Sequence, residues 1–310
     1  MTVAQPAGAG RAGAELTTGA ADTIAKGSKS FAAAARLFDA DTRESVILLY
    51  AWCRHCDDVI DGQDLGHATG APAPSPPELL ARLEALREGT LAALAGRPPD
   101  VPAFRALAEV NRRHALPQEL PLAHLAGFAM DVEGRTYGTF AEVLDYCYGV
   151  AGVVGEMMSV VMGARAPETL VRAADLGRAF QLTNIARDIV PDAHAGRVYL
   201  PAAWRAEEGL APSAAAILGS ASRPAVARLA RRLVESAEPF YASARLGIDA
   251  LPRRSAWAVA TAMGVYREIG LRVVERGERA WDTRVSTSGF DKLRLAAKGS
   301  AIAFGPRNRT

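Results

Sequence analysis

Apolar residues recur three and four positions apart along most of the chain, and β-branched runs with period two are few. That spacing predicts helices over 30–38, 42–60, 78–94, 103–114, 118–130, 140–162, 168–190, 223–246 and 253–276. Shorter helical pieces are predicted over 201–208, 212–218 and 288–298. Breaks fall where turn residues cluster. Asp61-Gly62 opens a loop through Pro72, Pro74, Pro76 and Pro77, and a second loop joins Gly96 to Pro102. No strand-and-turn pattern and no repeat of solenoid length is visible. The helical pattern is the same on both sides of the Pro-rich loop. The expectation is therefore a single all-α domain over 23–298, a helical bundle around a central apolar pocket.

The ends read differently. Residues 1–22 are rich in Ala, Gly and Thr and are expected to form a disordered arm rather than a secretory signal. Residues 299–310 are expected to be a flexible basic tail. With Lys292, Arg294, Lys298, Arg307 and Arg309, the C-terminal stretch has the charge to touch anionic lipid, but a solvated, frayed end is the preferred reading. The most apolar run, 150–164, is too short to span a bilayer and carries Glu156.

The charge total narrows the classes of function. Lys plus Arg number 36 and Asp plus Glu 34, a net of +2, which argues against a nucleic-acid scaffold. Three cysteines build no disulfide framework. The expected location is the cytoplasm, with peripheral membrane contact and oligomeric state left open.

More informative is where the acids sit. In Tyr50-Ala51-Trp52-Cys53-Arg54-His55-Cys56-Asp57-Asp58-Val59-Ile60-Asp61, residues Tyr50, Arg54, Asp57 and Asp61 share one helix face. In Gln181-Leu182-Thr183-Asn184-Ile185-Ala186-Arg187-Asp188-Ile189-Val190-Pro191-Asp192, residues Gln181, Asn184, Asp188 and Asp192 share another. Like charges one turn apart weaken a helix by a few tenths of a kcal/mol. A divalent cation between them reverses that sign. For one such stripe, a solvated face is an even alternative. Two stripes inside apolar helices, each with an arginine, favour Mg²⁺ holding a polyanion such as diphosphate.

Other features are weaker. Cys53-x-x-Cys56 lies mid-helix with no four-ligand zinc set, so a core or pocket-wall role is expected. His55 is expected to pack. Gly149, Gly152 and Gly155 share a face, either for close helix packing or to let an apolar chain pass. Asp131 and Glu133 form a polar patch without an assigned role.

Four blocks in order carry a resemblance: Ser28-Lys29-Ser30-Phe31, Tyr50 to Asp61, Tyr146 to Gly155, and Gln181 to Asp192, followed by Gly196-Arg197-Val198-Tyr199-Leu200-Pro201. Together they resemble the squalene/phytoene synthase family, its bacterial phytoene-forming members most closely. The resemblance implies an isoprenoid synthase-type fold. It also implies a prenyl transferase that condenses two geranylgeranyl diphosphates head to head, through a cyclopropyl diphosphate, to phytoene. That is the first committed step of carotenoid biosynthesis. It places metal ligands at Asp57, Asp61, Asn184, Asp188 and Asp192, for Mg²⁺ with Mn²⁺ as a substitute. It places diphosphate contacts at Ser28, Ser30, Arg54, Gln181, Arg187, Tyr266 and Arg284, and active-site tyrosines at Tyr50 and Tyr146. Tyr146 is the candidate for helping to remove the ring-closure proton, with released diphosphate as the alternative base. No NADPH is expected. The alternatives are a C30 relative making dehydrosqualene or squalene from farnesyl diphosphate, and a non-catalytic helical scaffold of the same fold. Small side chains in Phe31-Ala32-Ala33-Ala34-Ala35 are expected to leave room for a C20 tail. Pro191 departs from the family pattern. It is expected to kink the helix and move Asp192 out of register.

Overall fold

The structure, a computed structural model, describes residues 7–27, 29–64, 67–68 and 74–306. Its helices are α1 (Ala7–Gly27), α2 (Lys29–Ala35), α3 (Ala40–Asp61), α4 (Pro76–Leu94), α5 (Pro102–His114), α6 (Glu119–Val132) and α7 (Phe140–Cys147). They continue as α8 (Val153–Val161), α9 (Pro167–His194), α10 (Ala202–Glu207), α11 (Ala214–Leu218), α12 (Arg223–Gly247), α13 (Arg253–Arg276) and α14 (Gly289–Phe304). The one departure from helix and loop among the described residues is a two-residue antiparallel pair, Gln63–Asp64 with His67–Ala68, in the loop after α3.

Local chemistry sets the helix ends. The Asp39 carboxylate accepts from Thr42 N at 3.0 Å and opens α3, and Gly62 closes it at φ +65°. Reciprocal Ser/Thr and acidic caps start α7 (Thr139 with Glu142) and α14 (Ser288 with Asp291).

Two apolar clusters carry the packing. One gathers Trp52, Leu107, Val110 and Met157 from α3, α5 and α8. The other gathers Leu182, Leu229, Leu233 and Ile269 from α9, α12 and α13. Between them lies one large cavity, onto which the polar faces of α3 and α9 look.

Four elements differ from the sequence reading. First, residues 7–22 lie in α1 rather than in a disordered arm. Leu16, Ala20 and Ile24, spaced by four, pack toward α3, and Thr17 Oγ1 donates to Glu44 Oε1 at 2.8 Å. Residues 1–6 lie outside the described residues. Second, the expected tail is helical through Phe304, because Gly299 and Ala303 are buried against α13. Residues 307–310 lie outside the described residues.

Third, the helix expected over 140–162 is interrupted. Over Tyr148–Gly152 the chain makes a wider, π-type turn, closed by Val153 N–H donating to Tyr148 O. Fourth, α9 continues as helix through Pro191 to His194, so Asp192 keeps its helical register. Pro191 already sits in the last turn. That turn is closed by Gly196 at φ +77° and by Arg197 N–H donating to Asp192 O at 2.8 Å.

Candidate active site

The cavity measures about 960 Å³, near the top of the usual range for ligand sites. Its inner wall is apolar, with Phe31, Ala34, Val154, Met158, Leu176 and Ile248 among its side chains. Its polar part is built from the two stripes. Tyr50, Arg54, Asp57 and Asp61 come from α3, and Gln181, Asn184, Arg187, Asp188 and Asp192 from α9. Tyr146, Tyr266 and Arg284 join them. Ser28 lies outside the described residues. Ser30 sits in α2, and its side chain lies outside them as well.

Each stripe pairs its acids with arginine. Arg54 donates to Asp57. Arg187 Nε donates to Asp188 Oδ1 at 3.0 Å, and Arg284 Nη2 approaches Asp188 Oδ2 at 3.4 Å. Arg197 Nη2 donates to Asp61 Oδ1 at 2.6 Å, which ties the segment after α9 to the end of α3. Burial and then the neighbouring carboxylates push Asp57 up to about 7, against the pull of Arg54. About a third of the Asp57 side chain (37 %) opens onto the cavity. Water in that opening lessens the shift. Burial and the charge of Asp188 push Asp192 up to about 7 as well.

The donor set suits a hard divalent cation. Every candidate ligand offers oxygen, and Asn184 Oδ1 is buried with no hydrogen-bond partner. The raised carboxylates report burial first and like-charge repulsion after it, and a bound cation offsets both. Among the described residues no three acidic, His or Cys side chains already converge as a ligand group. The arginines hold the carboxylates in the geometry seen here.

A further cluster lies beside the stripes. Tyr146 Oη donates to Asp131 Oδ2 at 3.0 Å and Tyr199 Oη to Asp131 Oδ1 at 2.9 Å, with the two rings stacked 4.7 Å apart. Burial raises Asp131 above the usual carboxylate range, and burial with the facing Asp131 raises Tyr146 well above the usual phenol range. Tyr146 is therefore held as a neutral donor, which removes it as a free phenolate base. Tyr266 stacks on Phe180 at 4.1 Å, and both line the cavity.

A family model for squalene/phytoene synthase matches residues 24–291. The chain belongs to the squalene/phytoene synthase family. A 15-cis-phytoene synthase of Pantoea ananas is 54 % identical over 294 residues, covering 95 % of this chain and 94 % of that protein. Another, from Paracoccus sp. (strain N81106 / MBIC 01143), is 48 % identical over 285 residues, covering 92 % and 91 %. A solved dehydrosqualene synthase in complex with ligand superposes with a TM-score of 0.81 at 25 % identity, covering 96 % and 99 %. The squalene synthase HpnC from Alicyclobacillus acidocaldarius shares the fold, with a TM-score of 0.72 at 23 % identity over 85 % and 94 %.

Within this family fold, sequence reasoning missed Asp131, Arg197 and Tyr199. A signal for each was present. Asp131 stood in a polar patch left without a role, and Arg197 and Tyr199 stood in a block read only as resemblance. The weaker features resolve simply. Cys53 and Cys56 are free thiols raised by burial, Cys53 to about 12, and His55 packs edge-on against Phe104 at 5.5 Å. Gly149, Gly152 and Gly155 serve close packing. A Cβ on Gly149 would meet Gly127 Cα at 2.8 Å, and one on Gly155 would meet Ala173 O at 2.1 Å. Gly155 also lines the cavity, so the two readings coexist there.

Proposed function

We propose that this prenyl transferase joins two geranylgeranyl diphosphates head to head, by way of a cyclopropyl diphosphate, into phytoene. The observation that carries the reading is the pair of acid-and-arginine stripes facing one deep apolar cavity. The substrate assignment follows the near-full-length likeness to 15-cis-phytoene synthases. The catalytic unit in this reading is a single all-α domain over 23–298, working in the cytoplasm.

Asp57, Asp61, Asn184, Asp188 and Asp192 would hold the divalent ions, Mg²⁺ or in its place Mn²⁺. Bound there, such ions supply neutralisation of the charge that develops on a departing diphosphate. The chain's own groups do the rest. A diphosphate competes for the Arg54, Arg187 and Arg284 guanidiniums and so frees carboxylates to act as ligands. Gln181 and Asn184 add amide contacts from the same face. The apolar wall excludes water from the allylic cation. The stacked Tyr266 and Phe180 rings offer their π faces to positive charge. Tyr146 can accept the ring-closure proton only as its own hydroxyl proton passes to Asp131. Phytoene formation reduces nothing, so the reading needs no NADPH.

The deciding experiment is incubation with geranylgeranyl diphosphate and Mg²⁺, with and without NADPH, and analysis of the apolar extract. A C40 hydrocarbon independent of NADPH is expected. Product from farnesyl diphosphate alone moves the enzyme to the C30 reading, and no product from either overturns the assignment.

A further inference from the structure

The cavity follows α9 along most of its length. Asp188, Asn184 and Gln181 line it at the acidic end, and Gly177, Ala173 and Arg172 line it further toward the start of the helix. Arg172 lies sixteen positions before Asp188 on this one continuous helix, a run of about 24 Å at the helical rise. An extended C20 isoprenoid chain spans about 20 Å, given zigzag C–C bonds of about 1.5 Å. The two lengths match once a diphosphate is added at the acidic end.

At the end of that run an arginine is laid on a glycine. Gly247, the last residue of α12, is buried and lines the cavity with Arg172. A Cβ on Gly247 would lie 2.8 Å from Arg172 Cβ and 3.1 Å from its Cδ, so the aliphatic stem of Arg172 rests directly on the Gly247 backbone. Arg172 Nη1 donates to Ser243 O at 3.4 Å, one turn earlier on α12, which holds the guanidinium along that helix. Arg54, Arg187, Arg197 and Arg284 at the acidic end all pair with carboxylates. Arg172 pairs with none among the described residues, so the cavity meets its stem rather than a charge set for an anion.

We infer that Arg172 and Gly247 form an end wall against which the last isoprene unit of one geranylgeranyl tail rests, and that they limit the length of tail the enzyme takes. The identity of the tail rests on the proposed function. A diphosphate held at Asp188 sends its tail past Gln181, Gly177 and Ala173 toward this pair. The missing side chain at position 247 provides the room. Any Cβ there displaces the Arg172 stem into the space of the tail, whereas truncating Arg172 lengthens that space.

The test is competition of geranylgeranyl diphosphate with its C15 and C25 homologues on the full-length protein, read as product ratios. Wild type should prefer the C20 substrate. Gly247→Val should move the ratio toward the C15 substrate by about 10-fold or more, and Arg172→Ala should move it toward the C25 homologue by a similar factor. Arg172→Met keeps a stem of similar length and should shift the ratio less than Arg172→Ala. Melting temperatures check folding, and the half-buried Arg172→Ala supplies the reading if Gly247→Val does not fold. An unchanged ratio in Arg172→Ala, a shift of both variants in one direction, or an Arg172→Met variant as permissive as Arg172→Ala overturns the end wall and leaves the proposed function standing. Wild type that turns over only the C15 substrate overturns the proposed function, and the C20 end wall with it.

Discussion

Asp131 is the residue whose surroundings say most about the chemistry. It accepts hydrogen bonds from two phenols, Tyr146 and Tyr199, and lies on the cavity wall. Asn in its place keeps the shape and one acceptor oxygen but cannot take a proton. Asp131→Asn is expected to lower kcat about 100-fold or more, in the range of general acid–base effects, with the melting temperature little changed. Steady-state turnover beside thermal unfolding checks this; near wild-type kcat would remove Asp131 from the proton path.

A second residue gives a pH prediction. His124 is buried between Trp52 and Phe128, with Nδ1 donating to Gly149 O at 3.2 Å and Nε2 without a hydrogen-bond partner. Burial pushes its pKa down to about 4. The unfolded chain therefore binds the proton first as pH falls, and the His124 contribution to stability is lost between about pH 6.5 and 4. Linkage sets the loss from pH 7.5 to 5 at about 2 kcal/mol. Urea unfolding at the two pH values should show this as the difference between wild type and His124→Asn, because the raised Asp57 and Asp192 move total stability the other way.

At the scale of elements, the contact between the Tyr148–Gly152 turn with α8 and helices α6 and α9 decides the site's position. Gly127 and Gly149 meet backbone to backbone, and so do Gly177 and Ala151, where a Cβ on Gly177 would lie 2.1 Å from Ala151 O. Carbonyl oxygens in packed helices cannot step aside as a side chain can. Gly177→Ala is expected to cost about 1–3 kcal/mol by overpacking. Gly19→Ala, in α1 with open space at its Cβ, should instead add about 0.5–1 kcal/mol. Chemical denaturation of both variants makes the comparison, and equal shifts would contradict the packing account.

Elements were unequally legible in sequence. The helix 253–276 was readable to its ends, since Pro252 precedes it and Gly277 follows. The π-type turn was not, because a 3.6-residue apolar period does not register one wider turn that glycine contacts make affordable. Nor was α1, whose Ala- and Gly-rich sequence has weak periodicity and is ordered by what it touches in α3.

At the scale of the molecule, the size of the side chains lining the cavity limits how long a tail it admits. Ala34 and Ala35 line it together with Phe31 and Phe38. Ala35→Phe puts a bulky ring where the wall is now small, and should shift the farnesyl to geranylgeranyl preference toward farnesyl diphosphate by about 10-fold or more, since one pocket methylene is worth 10-fold or more. Competition between the two substrates measures it, and an unchanged ratio would remove Ala35 from chain-length control.

Sequence alone determined the helical class and the two acid-bearing faces, Tyr50, Arg54, Asp57 and Asp61 on one helix and Gln181, Asn184, Asp188 and Asp192 on another. These are properties of spacing along a single helix, and periodicity records them directly. Only the tertiary structure decided that Arg197 reaches Asp61, that Tyr146 and Tyr199 converge on Asp131, and that the Arg172 stem rests on Gly247. Those relations join residues as many as 136 positions apart. The packing of α9 between α12 and α8, and the Gly196 turn that sends Arg197 back toward α3, create them, and no local period encodes either.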